Sequence, residues 1–213
     1  MIHELVKMID RLSNLNHDLE NQLLIECSQG LRNAGQTDRI SRFFEYSLDW
    51  DYILPVARKN AVFPLVGRNL LQNFSHSIPV HIKEILTENL QAHLQRNMFL
   101  TGKLLEIVGS FDANNISILP FKGPLLAAQA YGDLSARQYV DLDILVQPKQ
   151  LESAIRLLQD EGYTPISSIS WLNKSNWHLS DKKDIYFRSA DGLVNVELHW
   201  KLSGSHFALP FEM

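Results

Sequence analysis

The chain has 213 residues, 45% of them hydrophobic and 21% charged, enough for one large folded domain or two small ones, and this excludes a sequence too polar to bury a core. Its formal net charge of -4 is spread without long single-sign blocks, so neither a nucleic-acid partner nor an anionic membrane surface has an electrostatic footprint to meet. A lone cysteine, Cys27, rules out an internal disulfide; with no apolar run near the ~20 residues of a membrane span and no basic-then-apolar leader, the expectation is a cytoplasmic protein with no membrane partner.

Up to about residue 112 apolar residues recur at three and four positions, the spacing of amphipathic helices. A first helix is predicted from Asn16 to Leu31, with Leu19, Leu23, Leu24 and Cys27 on its buried face. Thr37 or Asp38 is placed to cap a second through Ile40, Phe43 and Phe44. A third starts near Asp49, and Pro64 suits the first turn of a fourth containing Leu65, Leu70 and Leu71. From Pro79 a single long helix of about 30 residues is predicted, its stripe formed by Ile82, Ile85, Leu86, Leu90, Leu94, Met98, Leu104, Leu105, Val108 and Phe111.

After Asn114-Asn115 strands and helices alternate. Ile116 to Phe121 reads as a buried strand, Pro124 to Tyr131 as a helix opened by proline, and Tyr139 to Val146 as a second strand. Pro148 to Glu161 gives a helix with Leu151, Ala154, Ile155 and Leu158 inward and Gly162 at its C-terminal cap. Two strands then follow, Asp184 to Arg188 and Leu193 to Leu202, joined through Asp191-Gly192, a hairpin signal. The expected fold class is therefore α+β, a helical domain over residues 1–112 followed by a small mixed-sheet α/β core over residues 113–213.

The chemistry concentrates in that core. Side chains alternate along a strand, so Asp141 and Asp143 share one face about 7 Å apart along the backbone, opposite Val140, Leu142 and Ile144. Two like charges on an apolar strand are costly without a cation, and a divalent metal carrying a polyphosphate supplies one. In the last strand Glu197 shares a face with Asn195 and His199, opposite Val194, Val196, Leu198 and Trp200. A third carboxylate is what a two-metal phosphoryl or nucleotidyl transfer site requires. Lys122-Gly123, between a strand and a helix N-terminus, suits an anionic phosphate, and Arg137 offers a guanidinium fork for the same group. His199 is a candidate substrate or metal contact, whereas the remaining histidines show no metal-ligand spacing. Trp171 and Trp177 either pack a loop or stack on a base.

Lys122-Gly123, Tyr131-Gly132-Asp133, Arg137, Asp141 to Val146, Glu161-Gly162-Tyr163 and Val196 to Trp200 together resemble the uncharacterised bacterial nucleotidyltransferase family of the DNA polymerase beta-like superfamily. The likeness extends to Leu48-Asp49-Trp50-Asp51 and Val62-Phe63-Pro64-Leu65 in the helical part. It implies a minimal nucleotidyltransferase core, Mg2+ (or Mn2+) dependence, and transfer of a nucleoside monophosphate from a nucleoside triphosphate, ATP among them, to an unidentified acceptor. Carried over, Asp141 and Asp143 are the catalytic metal-binding pair and Glu197 the third carboxylate, with Lys122, Gly123 and Arg137 on the nucleotide. The wider superfamily has a Gly-Ser or Gly-Gly turn closer to the first aspartate, where Lys122-Gly123 stands here. Two other readings stay open at this level: a regulatory module that binds nucleotide or metal without transfer, and a non-enzymatic helical interaction protein. The apolar run from His206 to Met213 suggests a chain that continues further.

Overall fold

The computed structural model describes residues 17–29, 34–169 and 182–202. Trp171, Trp177 and the run from His206 lie outside the described residues. The chain divides into two compact units, residues up to 94 together with Ser135–Gln138, and Gln95–Leu134 together with the residues from Tyr139 onward.

The first unit is helical: α1 (Asp18–Ser28), α2 (Ala34–Phe43), α3 (Trp50–Lys59), α4 (Phe63–Asn73) and the opening half of α5 (Val80–Ala113). Leu23, Leu24 and Cys27 of α1 are buried as their spacing requires, alongside Ile40, Ile53, Leu70, Ile82 and Leu86. Burial pushes the Cys27 thiol up to about 12, so it sits in this core as an inert apolar residue. Asp49 caps α3 by accepting the Tyr52 backbone N–H at 3.1 Å, and Pro64 occupies the first turn of α4. Thr37 and Asp38 do not cap α2. That helix begins at Ala34 and both residues lie inside it.

The stripe along α5 also differs from the sequence expectation. Each half packs on its own core: Ile82 and Leu86 in the first unit, Leu100, Leu104, Ile107 and Phe111 in the second. Met98 and Leu105, included when one continuous face is assumed, are 60% and 66% exposed.

The second unit holds a five-stranded mixed sheet, which makes the fold α+β. In chain order come β1 (Ile118–Pro120), α6 (Gly123–Tyr131), β2 (Leu142–Val146), a 3-10 turn (Pro148–Gln150) running into α7 (Leu151–Asp160), β3 (Tyr163–Pro165), β4 (Asp184–Ser189) and β5 (Asn195–His199). Their order across the sheet is β1-β2-β5-β4-β3. Only β2 and β5 pair in parallel. One face of the sheet is apolar. Leu142, Ile144, Ile185, Phe187, Val196 and Leu198 are buried there in one cluster with Leu100 and Phe111 of α5 and with Leu151, Ala154, Ile155 and Leu158 of α7. Fully burying each such side chain stabilises the fold by roughly 1.5–3 kcal/mol.

Three strand expectations change, the last strand spanning Asn195–His199 rather than Leu193 to Leu202. The strand read as buried from Ile116 is the short edge strand β1, with Leu119 56% exposed. The aspartate strand begins at Leu142 rather than Tyr139, because its neighbours reach no further: β1 pairs up to Pro120 opposite Ile144, and β5 pairing opens with Val196 opposite Leu142. The Asp191-Gly192 hairpin forms as expected. Asp191 accepts from Ser189 Oγ and, at 2.9 Å, from the Leu193 N–H, while Gly192 takes the left-handed conformation.

Candidate active site

The face of the sheet opposite the apolar one carries the charged residues, and strand register brings them together. Asp143 of β2 stands beside Glu197 of β5, and Leu145 beside His199. Across β5 in the other direction, Tyr186 stands beside Glu197 and Asp184 beside His199. Period-two alternation puts Leu142, Val196, Leu198 and Ile185 into the core while it turns Asp143, Glu197, His199, Tyr186 and Asp184 to the other side. Glu197 lies on the central strand of the five, a position with neighbours on both sides.

The resulting cluster is tight and nearly dry. Asp143, Glu197 and His199 are only 5%, 7% and 1% exposed. His199 Nε2 lies 3.1 Å from Asp143 Oδ1 and 3.1 Å from Glu197 Oε2, and Lys122 Nζ lies 2.6 Å from Asp143 Oδ1. The Phe121 ring meets the His199 ring edge-on with centroids 4.9 Å apart, which fixes the imidazole plane. Asp141 sits in a bend just before β2, half-buried, with its carboxyl in hydrogen-bonding contact with Glu197.

Electrostatics give the two central carboxyls different characters. Burial alone would raise Asp143, but the hydrogen bonds and charges of His199 and Lys122 outweigh it and hold this carboxyl below the usual range. Glu197 goes the other way: burial first, then the neighbouring charges of Asp143 and Asp141, push it up against the opposing hydrogen bond from Tyr186. Tyr186, bonded to that glutamate, is held well above the ordinary phenol range.

Lys122 is the N-cap residue of α6, so its backbone stands at a helix N-terminus while its ammonium, 43% exposed in the side chain, pairs with Asp143. Gly123 follows with φ +49, in the left-handed region, and a Cβ there would lie 3.5 Å from the Asp141 carbonyl oxygen. That distance is ordinary contact, so the requirement for glycine is backbone strain. Gly123→Ala is expected to cost about 1–2 kcal/mol, read as a lower urea midpoint at unchanged slope. An unaltered midpoint would contradict this account of the corner.

Lys122, Gly123, Asp141, Asp143, Glu197 and His199 thus all lie in the second unit. Arg137 does not; it belongs with Ser135–Gln138 to the first, where its backbone bonds His93. Asp184 and Tyr186 escaped the sequence reading. The signal was there in the Asp191-Gly192 hairpin, because once the turn fixes the register, counting back from it sets Tyr186 opposite Glu197 and Asp184 opposite His199.

The model of the uncharacterised nucleotidyltransferase family matches residues 46–212, well over half of the chain and all of the residues just described. The chain belongs to that family. A search of the curated proteins finds no match. Divalent metal is the cofactor such a family implies, and the donors of this family member fit one. Asp143, Glu197 and His199 each offer a ligand atom, all within 4.8 Å of one another, and the carboxyls of Asp141, Asp143 and Glu197 outnumber the Lys122 ammonium that pairs with Asp143. An apolar hollow of about 690 Å³, lined by residues including Leu119, Leu145, Val146 and Trp200, opens beyond the ends of β2 and β5; none of the charged cluster lines it. Among the described residues no helix is long and apolar enough to cross a membrane.

Proposed function

We propose that this protein is a metal-dependent nucleotidyltransferase that moves a nucleoside monophosphate from a nucleoside triphosphate to an acceptor hydroxyl, releasing pyrophosphate. The observation that carries the reading is the parallel β2–β5 register, which sets Asp143 against Glu197 on a buried polar face. Membership of the family supports it.

The residues divide the work by their chemistry. Asp143, kept ionised by its neighbours, and Asp141 beside it hold the cation, Mg2+ or Mn2+. Once bound, that cation polarises the phosphoryl oxygens and neutralises charge on the leaving group. Glu197, the third carboxylate of the set, is placed beside the cation to orient the attacking hydroxyl. Lys122 and the α6 N-terminus offer positive charge to the triphosphate, and Gly123 lets backbone approach it. Burial of the cluster strengthens each of these interactions.

Thermal denaturation with each of the four NTPs, with and without Mg2+ or Mn2+, tests the binding half of this reading. A ligand present at 100 times its Kd stabilises by about 2.7 kcal/mol, a shift of roughly 5–10 °C for a chain of this size. The nucleotide-dependent part of the shift is expected to require the cation and to vanish in Asp141→Asn. No shift with any NTP would remove the proposal.

A further inference from the structure

This inference rests on the cluster being the metal centre of the transfer site, and concerns which metal it takes and what holds it. We propose that His199 Nε2 is itself a metal ligand, completing with Asp143 and Glu197 a mixed oxygen and nitrogen site that selects a Mn2+-like transition cation over Mg2+, with Asp184 positioning the imidazole.

Distance supplies the first argument. Nε2 lies 3.1 Å from both Asp143 Oδ1 and Glu197 Oε2. Adjacent ligands of an octahedral cation with bonds of about 2.1–2.2 Å stand about 3.0–3.1 Å apart, so both separations are already those of neighbouring ligands around one ion. The imidazole is 1% exposed and held edge-on by Phe121, and needs no rotamer change to present that nitrogen.

The other ring nitrogen supplies the second. Nδ1 is buried with no hydrogen-bond partner, and the polar atom facing it is Asp184 Oδ2 at 3.7 Å, an oxygen also 3.3 Å from Lys183 Nζ. In the metal-free arrangement Nε2 faces the two carboxylates, while Nδ1 makes no hydrogen bond within reach. A cation on Nε2 takes that nitrogen's lone pair and leaves the proton on Nδ1. A closure of well under 1 Å then lets Nδ1–H donate to Asp184. With a cation on Nε2, Nδ1–H faces Asp184 Oδ2, the arrangement of the carboxylate-imidazole-metal relay that orients histidine ligands. Mg2+ prefers oxygen donors throughout, whereas imidazole suits transition cations.

The test uses the full chain without nucleotide. Pulsed EPR of the Mn2+-loaded protein should show 14N hyperfine coupling from a directly bound imidazole, and titration should give Mn2+ binding at least about 10-fold tighter than Mg2+. His199→Gln should lose the coupling and weaken Mn2+ about 10–100-fold while leaving Mg2+ nearly unchanged. Asp184→Ala should weaken Mn2+ by about 10–100-fold with the coupling retained, and Asp184→Asn, which keeps an acceptor for Nδ1–H, should recover much of that loss. A wild-type protein that binds Mn2+ without 14N coupling overturns the inference without need of any variant and leaves the transferase reading standing. An unchanged Mn2+ to Mg2+ ratio in a folded His199→Gln does the same, and so does failure of the wild type to bind Mn2+, while the NTP-dependent thermal shift decides the transferase reading separately.

Discussion

Asp143→Asn is expected to reduce nucleotidyl transfer on the order of 10³-fold while leaving a folded protein. The carboxylate is 5% exposed and is the point at which Lys122 at 2.6 Å and His199 at 3.1 Å converge. Asparagine keeps the shape and an oxygen able to accept from either donor, which limits the structural damage. The ion pair with Lys122 is lost, but that ammonium is partly exposed and returns to water, so the stability cost should be only about 1–2 kcal/mol. Circular dichroism and a denaturant midpoint beside the turnover assay separate the two effects. Full turnover in a variant of normal fold would remove Asp143 from the site.

Glu197→Gln is expected to abolish transfer and yet make the protein more stable at neutral pH. The amide keeps one acceptor oxygen for Tyr186 or His199, and its N–H2 can donate to Asp141, while it ends the crowding of buried negative charge that pushes Glu197 up. The sign follows from proton linkage. With the folded-state value raised above the unfolded value of 4.5, the native protein binds more protons than the unfolded one between the two values, so wild-type stability falls as pH rises through that window. The glutamine variant has no such loss. Its advantage should be full above the window and should close on acidification towards pH 4.5. Each kcal/mol relieved raises the melting temperature by about 2–4 °C in a chain of this size, so melting curves of the metal-free proteins from pH 4.5 to 8 provide the measurement. A variant less stable than wild type across that range would contradict the like-charge description of the cluster.

How much of this could be read beforehand follows the range of the interactions involved. Alternation of side chains along a strand is local, so the shared face of Glu197 and His199, and the opposite burial of Val196 and Leu198, were legible in the sequence. So were the buried face of α7, set by its 3.6-residue repeat, and the turn chemistry at Asp191-Gly192. Pairing across distance was not legible. Nothing local says that β5 inserts between β2 and β4, although that placement alone sets Glu197 beside Asp143. The same blindness made β1 look buried and carried the aspartate strand back to Tyr139, because strand ends are set by how far the neighbours extend. His199 was legible only as a candidate substrate or metal contact for a related reason. A histidine's importance lies in what its two nitrogens face, here Asp143 and Glu197 on one side and Asp184 on the other.

The central claim, that this buried carboxylate and histidine cluster transfers a nucleoside monophosphate, is tested most directly by the fate of label from an NTP. Wild-type protein and Asp143→Asn would be incubated with a divalent cation, a cleared cell extract as the source of acceptor, and NTP labelled at either the α- or the γ-phosphate. The account predicts that α-label becomes attached to an acceptor with matching release of pyrophosphate, that γ-label leaves only in that pyrophosphate, and that Asp143→Asn does neither. Transfer of the γ-label to an acceptor, or equal incorporation of α-label by Asp143→Asn, would contradict it.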